Sequence, residues 1–124
     1  MKQLLAIAAG GAFGASLRWL LAGGIQRLTG GAFPWGTFVV NTLGSFLLGF
    51  LFIYLIERSS LGELLRLALT VGFLGAFTTF STYSLESLRL LQSGAYLMAA
   101  ANVFGQVAVC LFATWLGVQF ARLM

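Results

Sequence analysis

Three long stretches of this chain, Leu28 to Ile56, Leu67 to Leu85 and Leu90 to Ala121, contain no charged residue. A fourth, Leu4 to Ile25, contains only Arg18. A bilayer core of about 30 Å needs about 20 helical residues, and each stretch supplies that length. Only 8% of the residues are charged, against about 25% in an ordinary soluble domain, whose surface must be wetted. With 60% hydrophobic residues and a mean hydropathy of +0.97, the solvent for most of this surface is lipid. The pattern predicts an all-α integral membrane protein of four transmembrane helices. They use nearly the whole chain, so residues 1–124 form one domain.

Helix 1 is expected from about Gln3 to Leu28, with 29–34 as the first connection and Pro34, the only proline, near the start of helix 2. Proline is tolerated there because the first helical N–H groups have no intrahelical acceptor. Helix 2 should reach Ile56, followed by the polar loop Glu57-Arg58-Ser59-Ser60. Helix 3 is expected from near Leu61 to about Ser93, interrupted across 75–82, and helix 4 from Ala95 to Arg122 after Gly94. The amino end lacks a convincing cleavage site and reads as the start of helix 1 rather than a secretory leader. The single Cys110 falls inside helix 4 and can form no disulfide within the chain. The net charge of +4 comes mostly from residues at helix ends, where they anchor to headgroups; nucleic acid is not an expected partner.

With four spans, both termini and the second loop share one side of the membrane. That side carries Lys2, Arg58, Arg66 and Arg122, and the other carries Arg27 and Arg89. So weak a bias in positive charge permits both orientations. It equally suits a singly oriented protein with few basic residues.

Polar groups in the bilayer core are costly and ask for a reason. Gly10 and Gly14, with Gly11 and Ala15 one step round, suit close helix packing. Arg18 lies within snorkelling reach of the helix end, and position alone fits either an interface anchor beside Trp19 or a positive charge at the mouth of an anion path. Thr37, Asn41, Ser45 and Gly49 form a polar stripe on helix 2, and Asn102, Gln106, Cys110 and Thr114 form another on helix 4. One such stripe usually serves as interhelical glue, whereas two facing each other could make a hydrophilic track. The densest feature is Gly72-Phe73-Leu74-Gly75-Ala76-Phe77-Thr78-Thr79-Phe80-Ser81-Thr82-Tyr83-Ser84-Leu85-Glu86. Threonines after glycines favour a departure from regular helix, and irregular backbone at membrane depth persists only where it is buried in protein or lines a cavity. Hydroxyls can also merely bond back to the i−4 carbonyl.

These residues resemble the Fluc or CrcB family of small fluoride channels over essentially the whole chain. The matching elements are Gly-Gly-x-x-Gly-Ala-x-x-Arg-Trp at 10–19, Gly-Thr-Phe-Val-Val-Asn at 36–41, and the run at 72–86. The resemblance implies an antiparallel, dual-topology homodimer in a bacterial inner membrane, exporting cytoplasmic fluoride passively through two pores along the subunit interface. It implies that Phe80 and the aromatic at 83 present ring edges to the ion, that Asn41 donates amide hydrogens, and that Ser81, Thr82 and Thr114 belong to the polar track. Arg18 would lie near the entrance. Carbonyls of Gly75 and Thr78, two from each subunit, would hold a structural Na⁺. Tyr83 departs from the family's usual Phe, and Cys110 stands where a hydroxyl would extend the track. Hydroxyls and amide N–H groups are the donors that a strongly hydrated anion needs in place of water, and an aromatic edge is a weaker one. Glu86, the one acid within or near the core, is expected to receive hydrogen bonds or pair with a basic residue.

Two other readings compete. A small multidrug exporter needs a carboxylate in helix 1, where this chain has Arg18 and no acid. A non-transporting assembly subunit would use the glycines and polar stripes for packing alone. An enzyme is not expected: there is no His, no paired carboxylate and no base placed to activate Ser or Cys.

Overall fold

The computed structural model describes residues 1–57 and 60–124 and is all-helical. Four helices are long and apolar enough to cross a membrane: Lys2–Thr29, Trp35–Leu55, Glu63–Gln92 and Tyr96–Leu123. The chain is a multi-pass membrane protein. In lipid no water can satisfy main-chain N–H and C=O groups, so helices that pair them internally are the economical solution. The predicted boundaries hold to within a residue or two, the third span starting at Glu63 rather than Leu61. Arg58 and Ser59 of the expected polar loop lie outside the described residues.

The first connection is drawn tight by Gln26. Its amide nitrogen donates to the carbonyls of Gly31 (3.3 Å) and Phe33 (3.1 Å), and its oxygen accepts from Gly36 N–H at 3.2 Å. Gly30 and Gly31 turn the chain at φ 63° and 75°, a region L side chains rarely enter. At the other tight connection Gly94 has φ 77°, and Ala95 N–H returns to Leu90 O at 2.9 Å.

Helix contacts are built on glycine, as the small-residue spacing predicts. A Cβ on Gly10 or Gly14 would collide with the main chain of Ala68 or Phe73 in the third span, and one on Gly36 with the main chain of Ala22. The most extensive packing joins the second helix to the Gln106–Leu123 segment of the fourth. There Gly49 meets the carbonyl of Thr114, and Gly117 meets the carbonyl of Phe46. Without a hydrophobic force between helices in lipid, such backbone approach is what holds them.

The third and fourth spans are not uniform α-helix. Each contains a π-helical stretch, Ala68–Leu74 and Ala101–Gly105. The interruption expected across 75–82 is narrower than the sequence suggests. Gly75–Phe77 is helical, Phe80–Gln92 is helical, and only Thr78 (φ −83°, ψ 156°) and Thr79 (φ −151°, ψ 115°) are extended. The span is bent locally rather than divided into two separate halves. Thr79 caps the segment that follows, its Oγ1 accepting from Thr82 N–H at 3.3 Å, so the helix resumes at once and Phe80, Ser81 and Thr82 are helical.

If glycine contacts hold the bundle, Gly117→Ala should destabilise it by about 1–3 kcal/mol, the usual cost of an overpacked site. Gly24→Ala, with nothing within 4 Å of the new methyl, should stay within about 0.5 kcal/mol of the parent. Thermal unfolding in detergent followed by circular dichroism makes the comparison. Equal midpoints for the two variants would mean that the close approach carries no stability.

Candidate functional site

Two cavities meet at the bend in the third span. The larger, about 670 Å³, is walled by Arg18, Thr37, Thr82, Glu86 and Arg89 among others. The smaller, about 260 Å³, is lined by Asn41, Phe80, Tyr83, Gln106, Cys110 and Thr114, with Ser45 and Thr78. Thr79 lines both. The sequence-predicted pore residues therefore divide: Arg18 and Thr82 border the larger cavity, and Asn41, Phe80, Tyr83 and Thr114 the smaller. Ser81 lines neither; it is exposed, its hydroxyl 3.4 Å from Thr79 Oγ1.

The second helix delivers Thr37 and Asn41 one turn apart, and both are buried. Thr37 Oγ1 donates to Glu86 Oε1 at 2.8 Å, as the expectation that Glu86 receives hydrogen bonds requires. Glu86 Oε2 has no hydrogen-bond partner among the described residues. Arg18 and Arg89 place two cations on the wall of the same cavity, so an anion entering it meets positive charge as well as one carboxylate.

Asn41 is bound on both of its polar atoms. Oδ1 accepts from Thr79 N–H at 2.8 Å, and Nδ2 donates to Thr79 O at 3.1 Å and to Gln106 Oε1. The side-chain amide thus pairs with the extended residue as a neighbouring strand would, which is why two residues suffice for the bend. An amide nitrogen has two hydrogens, and both are directed at protein acceptors. An ion at Asn41 must take the place of one of them.

The bend also frees carbonyls of the preceding turn, those of Gly75 and Thr78 among them. In continuous helix Gly75 O would accept from Thr79 N–H and Thr78 O from Thr82 N–H. Those two N–H groups are bound instead to Asn41 Oδ1 and to Thr79 Oγ1. Gly75 is exposed and Thr78 half-buried.

Phe80 is 77% exposed, in contrast to the buried Phe77 three residues earlier. Its ring lies 5.3 Å from that of Tyr83, centroid to centroid, at an interplanar angle of 43°. The Tyr83 hydroxyl donates to Val103 O at 2.9 Å. It ties the ring to the fourth span. Thr114 Oγ1 donates to Cys110 O at 2.9 Å, and Cys110 Sγ lies 3.9 Å from Thr42 Oγ1.

The two polar stripes do face each other, at Asn41 and Gln106. Behind them lies a group that sequence reasoning left without a role: Gln106 Nε2 donates to Asn102 Oδ1 (3.0 Å), Asn102 Nδ2 to Ser87 Oγ (2.9 Å), and Ser87 Oγ to Tyr83 O (2.7 Å). The stripe on the fourth span was visible in sequence. Its connection to Ser87 was not, since nothing in spacing pairs residues of different helices. Thr79 was likewise hidden among five neighbouring hydroxyls.

Comparison with known proteins bears on this geometry. The family model described as CrcB-like protein, Camphor Resistance (CrcB), matches residues 5–118. A protein of Geobacter sulfurreducens named fluoride-specific ion channel FluC is 49% identical over 98% of each chain. Proteins of the same name from Geobacter metallireducens and Magnetococcus marinus are each 46% identical, over 98% of this chain and 98% and 99% of their own. These relatives carry the name of a channel, not of an enzyme. A match over nearly the full length, through all four spans and both cavities, places this chain in the CrcB family.

Proposed function

We propose that this chain is one subunit of a fluoride-selective channel that passes the ion down its gradient, in an inner membrane of bacterial type and in contact with its lipid. The observation that carries this reading is the near-complete match to relatives named fluoride-specific ion channel FluC. Two cavities sharing Thr79 support it. The larger supplies positive charge from Arg18 and Arg89 to gather anions. The smaller supplies the amide of Asn41, the hydroxyl of Thr114 and the rings of Phe80 and Tyr83. Thr82 would hand the ion on toward Thr79, and Ser81, exposed beside them, would join the track from the subunit surface. Such donors replace water around an anion, and aromatic edges add weak positive potential.

The pore is proposed to be completed by a second, antiparallel copy. Phe80 is 77% exposed in a lone subunit, and a partner would cover it. The same pairing brings two released carbonyls from each subunit, Gly75 and Thr78, into one hard-oxygen cage. Main-chain oxygens suit Na⁺ in preference to softer metals. The ion would hold the subunits together and take no part in transport.

A small multidrug exporter remains disfavoured by Arg18 and the absence of an acid on the first helix. Proteoliposomes of the purified chain should release fluoride without a proton gradient and carry current, because Glu86 is the only acid at depth. Electroneutral release that stops when the pH gradient collapses would sink the channel reading. No flux at all would leave an assembly subunit.

In the same assay Phe80→Ile should lower fluoride flux by about tenfold or more, the factor produced by about 1.4 kcal/mol, with the dimer intact by size exclusion. Tyr83→Phe should remain active. Asn41→Asp should be inhibitory, since it exchanges a donor for an acceptor. Full flux in Phe80→Ile would make the ring mere packing.

A reporter fused to the carboxyl end should give signal on both sides of the membrane, and withdrawing Na⁺ should shift the purified protein from dimer toward monomer. Signal confined to one side would replace the antiparallel model. A dimer indifferent to Na⁺ would remove the cation from it.

A further inference from the structure

We infer that Gln106 and Asn102 are positioning residues: with Ser87 they form a one-way chain of hydrogen bonds that fixes the amide of Asn41, and through it the bend at Thr79. This inference rests on the channel reading for its functional consequence, though not for its geometry.

The direction of the chain is set by its ends. Thr79 N–H can only donate, so Asn41 must present Oδ1 to it. Asn41 Nδ2 then faces Gln106, which must offer Oε1. Gln106 is left with Nε2 toward Asn102, which must offer Oδ1, and Asn102 Nδ2 is left toward Ser87 Oγ. Ser87 passes its own hydrogen to Tyr83 O, which can only accept. Turning over any one amide would set donor against donor or acceptor against acceptor. Asn102 is 0% exposed and Gln106 3%, so water cannot repair such a mismatch.

Both ends of the chain lie on the third span, at Thr79 and Tyr83. The relay leaves that span at Thr79, crosses the second and fourth, and re-enters it at Ser87, whose hydroxyl turns back along the same helix to Tyr83 O. Between its ends stands Phe80, and at its far end stands Tyr83, whose hydroxyl is held separately by Val103 O. The turn that carries both rings is therefore fixed at each end by groups outside it. Ordinary interhelical glue has no need of a consistent direction. This chain does, because its two main-chain ends cannot exchange roles.

Gln106→Met removes the amide and nearly preserves side-chain length and volume. It should cut fluoride efflux from proteoliposomes by about tenfold, the effect of one lost buried hydrogen bond with its partner stranded, and lower the ratio of fluoride to chloride flux. In the full chain with ¹⁵N-threonine, the Thr79 amide should exchange with solvent about tenfold faster, while the size-exclusion profile is unchanged. Ser87→Ala, at the far end, should move exchange and flux in the same direction, and Ser87→Thr, which keeps the hydroxyl, should restore both. If Thr79 exchange is unaltered in Gln106→Met the relay is overturned, and a loss of flux alone would make Gln106 a direct ligand of the ion. Should Gln106→Met fail to fold, Ser87→Ala decides by the same criterion. A parent protein that passes no fluoride would defeat the channel reading, while Thr79 exchange would still decide the relay.

Discussion

Asn41 reaches from the second helix to Thr79, at the bend of the third span, and pairs with its N–H and C=O together. In lipid an unsatisfied peptide group costs several kcal/mol, so a bend at membrane depth exists only if something supplies those bonds. A side-chain amide can, since it carries a donor and an acceptor side by side as a peptide does. That pairing takes from Gly75 O the N–H it would have in continuous helix, while the cap of Thr79 Oγ1 on Thr82 N–H restarts the helix at Phe80 and takes the donor from Thr78 O. Thr79 is also where the two cavities meet.

The glycine contacts and the polar contacts answer different needs. Glycines at Gly10, Gly14, Gly49 and Gly117 bring main chains together without regard to direction. The buried amides of Asn41, Gln106 and Asn102 add what close packing cannot, a requirement that each side chain point one way. Interhelical hydrogen bonds in membranes contribute modestly to stability, on average about 0.6 kcal/mol. Their value here is orientation rather than strength.

The larger cavity has mixed electrostatics. Arg18 and Arg89 attract anions, while Glu86 opposes them unless its charge is masked. The hydrogen bond from Thr37 covers one carboxylate oxygen, and the other has no hydrogen-bond partner among the described residues. An anion on this wall therefore meets Thr82 and the arginines with a single acid opposite. The smaller cavity has no charged residue in its lining; amides, hydroxyls, a thiol and rings stand there beside the aliphatic Leu48 and Val107. Charge lies at the wider space and neutral polar groups at the narrower one.

The sequence by itself determined the membrane class, the four spans, and the use of glycines for close packing. Charge-free length and small-residue spacing are local properties that do not depend on which helix lies beside which. It also marked the stretch where helix would fail, because threonine after glycine is a local disposition. It could not say that the failure would shrink to Thr78 and Thr79, since that depends on an amide from another helix. Nor could it say that Ser81 would stand outside both cavities, or that the hydroxyl of Tyr83 would be engaged by Val103. The relay through Gln106, Asn102 and Ser87 was decided wholly by tertiary structure. A hydrogen bond between helices depends on their relative rotation and depth to within a few tenths of an ångström, and no spacing along one chain contains that information.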